Sequence, residues 1–343
     1  MNTSAPYLRL VALAAILVAA LTGCAASDDE AYSESLGTSD LDLGEVVGEA
    51  TSANWQNALR CKDIPNVPAL RDPEITVSLD GLTLHLRDRA GTYDRVFPVG
   101  VGVVGSDGHT ITPSSETAPT GLFYTGRDTR ESRDGEYGYY YPCRIWWQDG
   151  ATRRPVFAGL PFIRLAGPPS ASYGIHGPID NFADVNGGSL RRGYVSHGCI
   201  RMAAADVVEV YARIRGHVRT PVRVQREIER DAAGHAVDLA QRWVGAECDQ
   251  DADCNFDGGV CHVTAGAAHG TCSIPCTRGC PDRVGENPTF CAREGTSATG
   301  FCVPAASTTY NNNCARYDDR LDYARQISRP DGSARSDVCR PSA

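Results

Sequence analysis

Between Ile75 and Asp88 the chain reads ITVSLDGLTLHLRD, with apolar side chains at alternate positions on both sides of Asp80-Gly81. Period-two alternation around an Asp-Gly pair predicts two antiparallel strands joined by a turn. RVFPVGVGVV predicts a strand pair or one bent strand, and HTITPSSETAPTGLFYTGR, PVFAGLPFIRLAG, YGIHG and TPVRVQRE continue the series of short, glycine-broken β segments. The period becomes helical once, from Ala203 to Arg215, where Val207, Val208, Val210, Tyr211 and Ile214 share a face. Residues 61–226 therefore predict a mainly β domain with a sandwich or barrel-like core and one helix. EIERDAAGHAVDLAQRWVG, within 227–247, predicts a helical connector.

The N-terminal pattern is of another kind. Arg9 precedes an apolar run from Leu10 to Leu21, which closes in Thr22-Gly23-Cys24 and is followed by acidic residues. The run is too short to span a bilayer and reads as an export signal over 1–23. Leu21-Thr22-Gly23-Cys24 resembles a bacterial lipobox, which implies cleavage before Cys24 and lipidation of that cysteine. Residues 24–60 contain eight acidic side chains and no basic one before Arg60, the composition of a flexible tether. With a net charge of −9 and no basic stripe, nucleic acid is excluded as a partner.

Fourteen cysteines in an exported chain predict disulfides. Ten of them fall between Cys248 and Cys339, where large apolar residues thin out, so 248–343 is expected to be a small disulfide-rich domain. Setting aside Cys24 and Cys199 leaves twelve, an even number, so every other cysteine can pair while Cys199 stays free. Asp251, Asp253, Asn255 and Asp257 alternate as in a calcium loop, but Thr264 stands where that loop needs glutamate, which favours an acidic turn. Cys276 and Cys280 are close enough for zinc, yet oxidation favours disulfides. No metal and no organic cofactor are expected.

The candidate chemistry lies in YGIHGPIDNFADVNGGSLRRGYVSHGCIRM, residues 173–202. Cys199 is either a half-cystine or a nucleophile. A nucleophilic thiol needs a base and an oxyanion site. His176 is placed to take the proton, with His197 as a second partner; Gly198 leaves room for substrate, and the amides of Gly198 and Cys199 precede a helix, where negative charge is favoured.

Ser196-His197-Gly198-Cys199-Ile200-Arg201 with upstream His176-Gly177 resembles the active-site signature of bacterial L,D-transpeptidases, the YkuD-type catalytic domain. The opening hairpin and TAPTGLFYTG strengthen the resemblance, which covers about residues 75–226. It implies that Cys199 attacks, that His176 is the general base, that Ser196 and His197 line the pocket, and that the Gly198 and Cys199 amides bind the oxyanion. Gly177, Tyr194 and Arg201 are expected at the substrate, with Arg191 and Arg192 as weaker candidates for its carboxylates. The implied reaction acylates Cys199 with a peptidoglycan tetrapeptide stem, releases D-Ala, and passes the acyl group to an amine. Water as acceptor gives an L,D-carboxypeptidase; the non-enzymatic alternative is a wall-binding lipoprotein. The loop from His176 to Ser196 is longer than usual for the family, and Arg201 stands where many members have asparagine. Residues 248–343 are left as a module for a wall polymer or protein partner, and Ala25 in place of aspartate after Cys24 favours the outer membrane, facing the periplasm.

Overall fold

The computed structural model describes residues 64–126, 146–149, 152–155, 160–169, 173–179, 184, 186–217, 219–264, 267–306, 314–317 and 320–341. The expected signal and tether, with Cys24, Cys61 and Cys143, lie outside them.

In chain order the first region contains β1 (Pro73–Ser78), β2 (Thr83–Asp88), β3 (Asp94–Pro98), β4 (Gly100–Gly102), β5 (Phe123–Thr125), β6 (Trp146–Asp149), β7 (Thr152–Pro155), β8 (Phe162–Ala166), β9 (Gly174–His176), β10 (Gly193–Ser196), β11 (Ile200–Arg201), helix α1 (Ala204–Ile214) and β12 (Pro221–Gln225). The expected hairpin is β1–β2, in register Ser78↔Thr83, with residues 79–82 as its loop. Gly81 suits that loop because its amide donates to Ser78 Oγ at 3.1 Å, and a Cβ there would lie 2.6 Å from the same oxygen. The segment around Pro98 divides into β3 and β4, which go to opposite ends of the sheet.

Ten strands form one continuous sheet in the order β10-β4-β11-β9-β8-β5-β12-β1-β2-β3. The sheet is curled: β8 pairs with β5 on one side and β9 on the other. Alternation explains the core. Ile75, Val77, Leu84 and Leu86 from the hairpin meet Val101, Ile163, Ile175 and Ile200 in one apolar cluster. Helix α1 closes it with Val207, Val210, Tyr211 and Ile214, all buried. It is the one α-helix among the described residues, as its apolar stripe predicts.

The second region contains β13 (Glu247–Cys248), β14 (Val260–His262), β15 (Gly270–Ser273), β16 (Pro275–Cys276), β17 (Thr289–Arg293), β18 (Gly300–Pro304), β19 (Asp322–Ser328) and β20 (Arg335–Arg340), grouped in two three-stranded sheets and a two-stranded one. Five disulfides tie these down: Cys248–Cys261, Cys254–Cys272, Cys276–Cys291, Cys280–Cys302 and Cys314–Cys339. Cys276 and Cys280 are thus half-cystines, as oxidation predicts. No helix among the described residues is long and apolar enough to cross a membrane.

The connector departs from expectation. Residues 227–246 contain no helix; they run irregularly through an isolated bridge between Arg230 and Ala236. Polar side chains compete for the backbone here: Asp231 Oδ1 accepts from the amides of Ala233 and His235, both at 2.9 Å, and Glu247 Oε1 accepts from the amide of Ala236. Gly234 turns with φ +90°, a conformation glycine adopts without strain.

The acidic alternation at Asp251–Asp257 also resolves into turn chemistry. Asp253 Oδ2 accepts from the amides of Asp249 and Gln250, Asp251 Oδ1 from the amide of Cys261, and Asn255 Oδ1 from the amide of Arg242.

Candidate active site

Strands β9 and β11 run parallel, with Ile200 opposite Ile175 and Arg201 opposite His176. This pairing brings the two halves of the motif together across a 22-residue gap: Cys199 is the last residue before β11, and His176 ends β9. The amide of Met202 donating to the His176 carbonyl at 2.8 Å extends the pairing.

His176 is fully buried. Its ring stacks on Phe162, centroids 5.8 Å apart, because the antiparallel register of β8 and β9 sets Phe162 directly across from it. Burial pushes its pKa down to about 3, with the cationic Arg201 adding in the same direction and the Gly177 hydrogen bond opposing. The imidazole is therefore neutral at physiological pH. Nδ1 lies 2.6 Å from the Gly177 carbonyl, an obligate acceptor, so Nδ1 carries the proton and Nε2 carries the basic lone pair. Gly177 thus orients the base. A Cβ on it would meet Leu160 Cδ1 at 2.4 Å, so this glycine is enclosed by packing, not open to substrate.

The nucleophile turn is built on Ser196. Its buried hydroxyl donates to the Cys199 carbonyl at 2.6 Å and accepts from the Gly198 amide at 3.1 Å. The Gly198 N–H is therefore spent inside the turn, which corrects its expected role as an oxyanion donor. Ser196 is a clamp and not pocket lining, because both of its contacts are backbone atoms of its own loop. Gly198 has φ +113°, and a Cβ there would lie 2.4 Å from Tyr173 Cε1, so only glycine fits beneath that ring. His197, between them, is exposed.

Two further expectations are corrected. Tyr194 is buried in the main core, and its hydroxyl donates to Asp80 Oδ1 at 3.3 Å, so it supports the fold and does not face substrate. Arg192 is 1% exposed. Its guanidinium donates to the carbonyls of Leu82 and Gly81 and forms ion pairs with Asp238 and Glu286, each at 2.9 Å. Arg316, on the same Glu286, completes a buried network. Although burial opposes ionisation of Asp238, Arg192 and Arg316 outweigh it and hold the carboxyl at about 2. Arg192 therefore latches the long loop to the disulfide-rich region and is not a cation for stem peptides. Arg201, half-buried across from His176, keeps a position from which it acts on the site's charge. Sequence reasoning missed Phe162 and Leu160 as the walls around His176; the alternation in LPFIRLA carried the signal.

Cys199 itself is buried and disulfide-bonded, with a partner outside the described residues. The other ten described cysteines pair among themselves. The expectation of a free thiol is overturned. Counting parity shows only that a free cysteine is permitted; which thiols couple in an oxidising compartment depends on which lie within reach. A separate cleft of about 920 Å³ lies between the two regions, walled by 94–98, 186, 188–190, 203–206, 238–241 and 283–286, and contains neither Cys199 nor His176.

Residues 72–224 match the family model YkuD, the L,D-transpeptidase catalytic domain. No curated protein matches the chain. Solved structures similar to it include an L,D-transpeptidase (residues 123–326) from Xylanimonas cellulosilytica DSM 15894, 16% identical, covering 47% of this chain and 64% of that one with a TM-score of 0.26. An L,D-transpeptidase from Mycobacterium tuberculosis H37Rv is 17% identical over 45% of this chain and 58% of that one, TM-score 0.27. One from Mycobacterium smegmatis is 13% identical over the same shares, TM-score 0.27. The chain spans less than two thirds of the length of these proteins. The match to the YkuD-type L,D-transpeptidase catalytic domain, over residues 72–224, spans the stretch in which β9, ending in His176, pairs with β11, which directly follows Cys199.

Proposed function

We propose that this protein is an L,D-transpeptidase acting on peptidoglycan stem peptides, with Cys199 as nucleophile and His176 as general base. The observation that carries this reading is the fixed tautomer of His176: a neutral, buried imidazole whose Nδ1 is committed to Gly177, leaving Nε2 as the basic nitrogen, on the strand that pairs with the one following Cys199. A dithiol first reduces the Cys199 disulfide by exchange, releasing Cys199 and its partner as thiols while the dithiol becomes a disulfide. His176 then takes the thiol proton. The thiolate attacks the carbonyl carbon of the bond between the third residue and D-Ala; the C–N bond breaks and D-Ala leaves with the proton from His176. An acceptor amine attacks the thioester, the C–S bond breaks, and Cys199 is regenerated. The acceptor is a second stem or a protein amine, with water giving carboxypeptidase activity. Five disulfides fit an exported protein, and lipidation at Cys24 is the proposed anchor, at the outer membrane facing the periplasm.

The disulfide at Cys199 favours a second reading, in which that cysteine is structural and the protein only binds the wall. Incubation with a disaccharide-tetrapeptide, followed by mass spectrometry of the products, separates them. Three samples are needed: oxidised protein, protein mildly reduced so that the five C-terminal disulfides survive, and reduced Cys199→Ala. A dimeric muropeptide from the reduced unmodified protein alone supports the transpeptidase; loss of D-Ala without a dimer supports the carboxypeptidase. No product from any sample contradicts both and leaves the wall-binding reading.

A further inference from the structure

The strongest unassigned chemistry lies outside the catalytic domain, where the connector meets the first disulfide-bonded sheet. His235, Asp249 and His269 each present one donor atom there, and the three atoms lie within 4.8 Å of one another. Three separate stretches of chain converge to make this cluster. His235 ends the Asp231–His235 turn, which Gly234 closes; Asp249 and His269 follow and precede the paired residues Cys248 and Gly270, so the ladder between β13 and β15 sets them opposite each other. Cys248 is itself pinned by its disulfide to Cys261.

We propose that His235, Asp249 and His269 form a zinc site that ties the connector to the disulfide-rich region. The spacing suits the ion. A tetrahedral Zn²⁺ with bonds of roughly 2.0–2.1 Å holds its ligands about 3.3 Å apart. His235 Nε2 lies 3.1 Å from Asp249 Oδ2, and His269 Nδ1 lies 2.9 Å from Asp249 Oδ1. The two rings meet edge to face with centroids 5.4 Å apart and donor nitrogens within 4.8 Å of each other, a separation that binding would shorten. Two imidazoles and a carboxylate are a donor set for zinc or a neighbouring transition metal; calcium and magnesium prefer oxygen alone.

The surroundings of His235 supply a second observation. Its other nitrogen, Nδ1, faces Asp231 Oδ2 at 3.6 Å. Asp231 is held by the amides of Ala233 and His235 on its Oδ1. A carboxylate behind a metal-bound imidazole fixes its orientation and raises its basicity. All three ligands retain solvent access, with Asp249 half exposed, so zinc can enter and water can fill the fourth position. The nearby cysteines Cys248, Cys261, Cys254 and Cys272 are all in disulfides and offer no competing thiolates.

The site is independent of the acyl-transfer reading, and its test uses no activity. Isothermal titration of untagged protein, disulfides intact, with zinc chloride at neutral pH is expected to show saturable binding of a single equivalent, and zinc is expected to raise the unfolding temperature. The double variant His235→Ala/His269→Ala is expected to bind on the order of 100-fold more weakly or not at all, and Asp231→Ala about 10-fold more weakly. Cobalt substitution gives an independent readout, a visible absorption band whose intensity reports four-coordination. Circular dichroism of the double variant without metal confirms that it folds. The proposal is overturned if the unmodified protein shows no saturable zinc binding, or if the double variant binds zinc as tightly.

Discussion

The two regions of this molecule achieve stability by opposite means. The catalytic domain folds one long curled sheet and a helix around a single contiguous apolar cluster drawn from nearly every strand. The region from residue 243 onward has four small clusters, two of them built largely from half-cystines. Burial scales with apolar area, so the first region gains its stability in the native state. Cross-links act mainly by restricting the unfolded chain, so the second is stable only while it is oxidised. The difference matters for function, because the thiol chemistry proposed for Cys199 needs reduction and the neighbouring region needs its disulfides. Arg192 joins the two, reaching from the catalytic loop to Asp238 and Glu286.

The largest effect is expected where the regions meet. Arg192→Ala leaves Asp238 and Glu286 buried with less positive charge, at a cost of about 3–5 kcal/mol. Urea denaturation checks this, and the variant is expected to separate one unfolding transition into two. Next, Leu84→Ala removes fully buried methyl groups from the large core and is expected to cost about 2–5 kcal/mol. Hydrogen exchange is expected to show the loss over 73–225 only. Cys254→Ser/Cys272→Ser, of comparable size, is expected to open 247–273 while leaving the large sheet protected. Equal loss of protection throughout, from either variant, sinks the distinction between the two regions.

The acid limb sharpens the comparison. His176 titrates near 3 when folded and near 6.5 when unfolded, so between those values the unfolded chain binds the extra proton. Stability is lost as pH falls below 6.5, by up to about 1.4 kcal/mol per unit. The carboxyl of Asp238 contributes stability that is present above the unfolded value and is lost as pH falls towards about 2. His176→Gln is expected to flatten the stability profile between pH 4 and 6.5 and leave the lower window, which belongs to the region junction, unchanged. His85, whose pKa is raised by Glu229 and Asp94 against the effect of burial, acts with the opposite sign and is common to both proteins. The smallest stability effect is Gly198→Ala, about 1–3 kcal/mol from a side chain in a left-handed conformation against Tyr173. Its larger consequence is expected in acyl transfer, since the Ser196–Cys199 turn must shift.

Much of the catalytic domain was legible because its signals are local. Alternation around Asp80-Gly81 marked the hairpin, and the stripe from Val207 to Ile214 marked the helix. The Ser196–Arg201 motif and His176 were recognisable as a pair before strand pairing brought them together. What escaped was decided by distance or by competition. Arg192 meets Glu286 and Asp238, 94 and 46 residues away, and nothing around it in sequence marks it as buried. The connector is expected to be helical, but Asp231 and Glu247 capture its amides. Parity suggested a free Cys199, whereas pairing depends on proximity.

The central claim is that Cys199, once reduced, forms a thioester with the help of His176. Peptide mapping by mass spectrometry, after mildly reduced protein is quenched in acid during reaction with a disaccharide-tetrapeptide, tests it directly. The account predicts the stem mass less D-Ala on Cys199, absent from oxidised protein and strongly diminished in His176→Gln. An adduct on another residue, or equal labelling of Cys199 in His176→Gln, would contradict it.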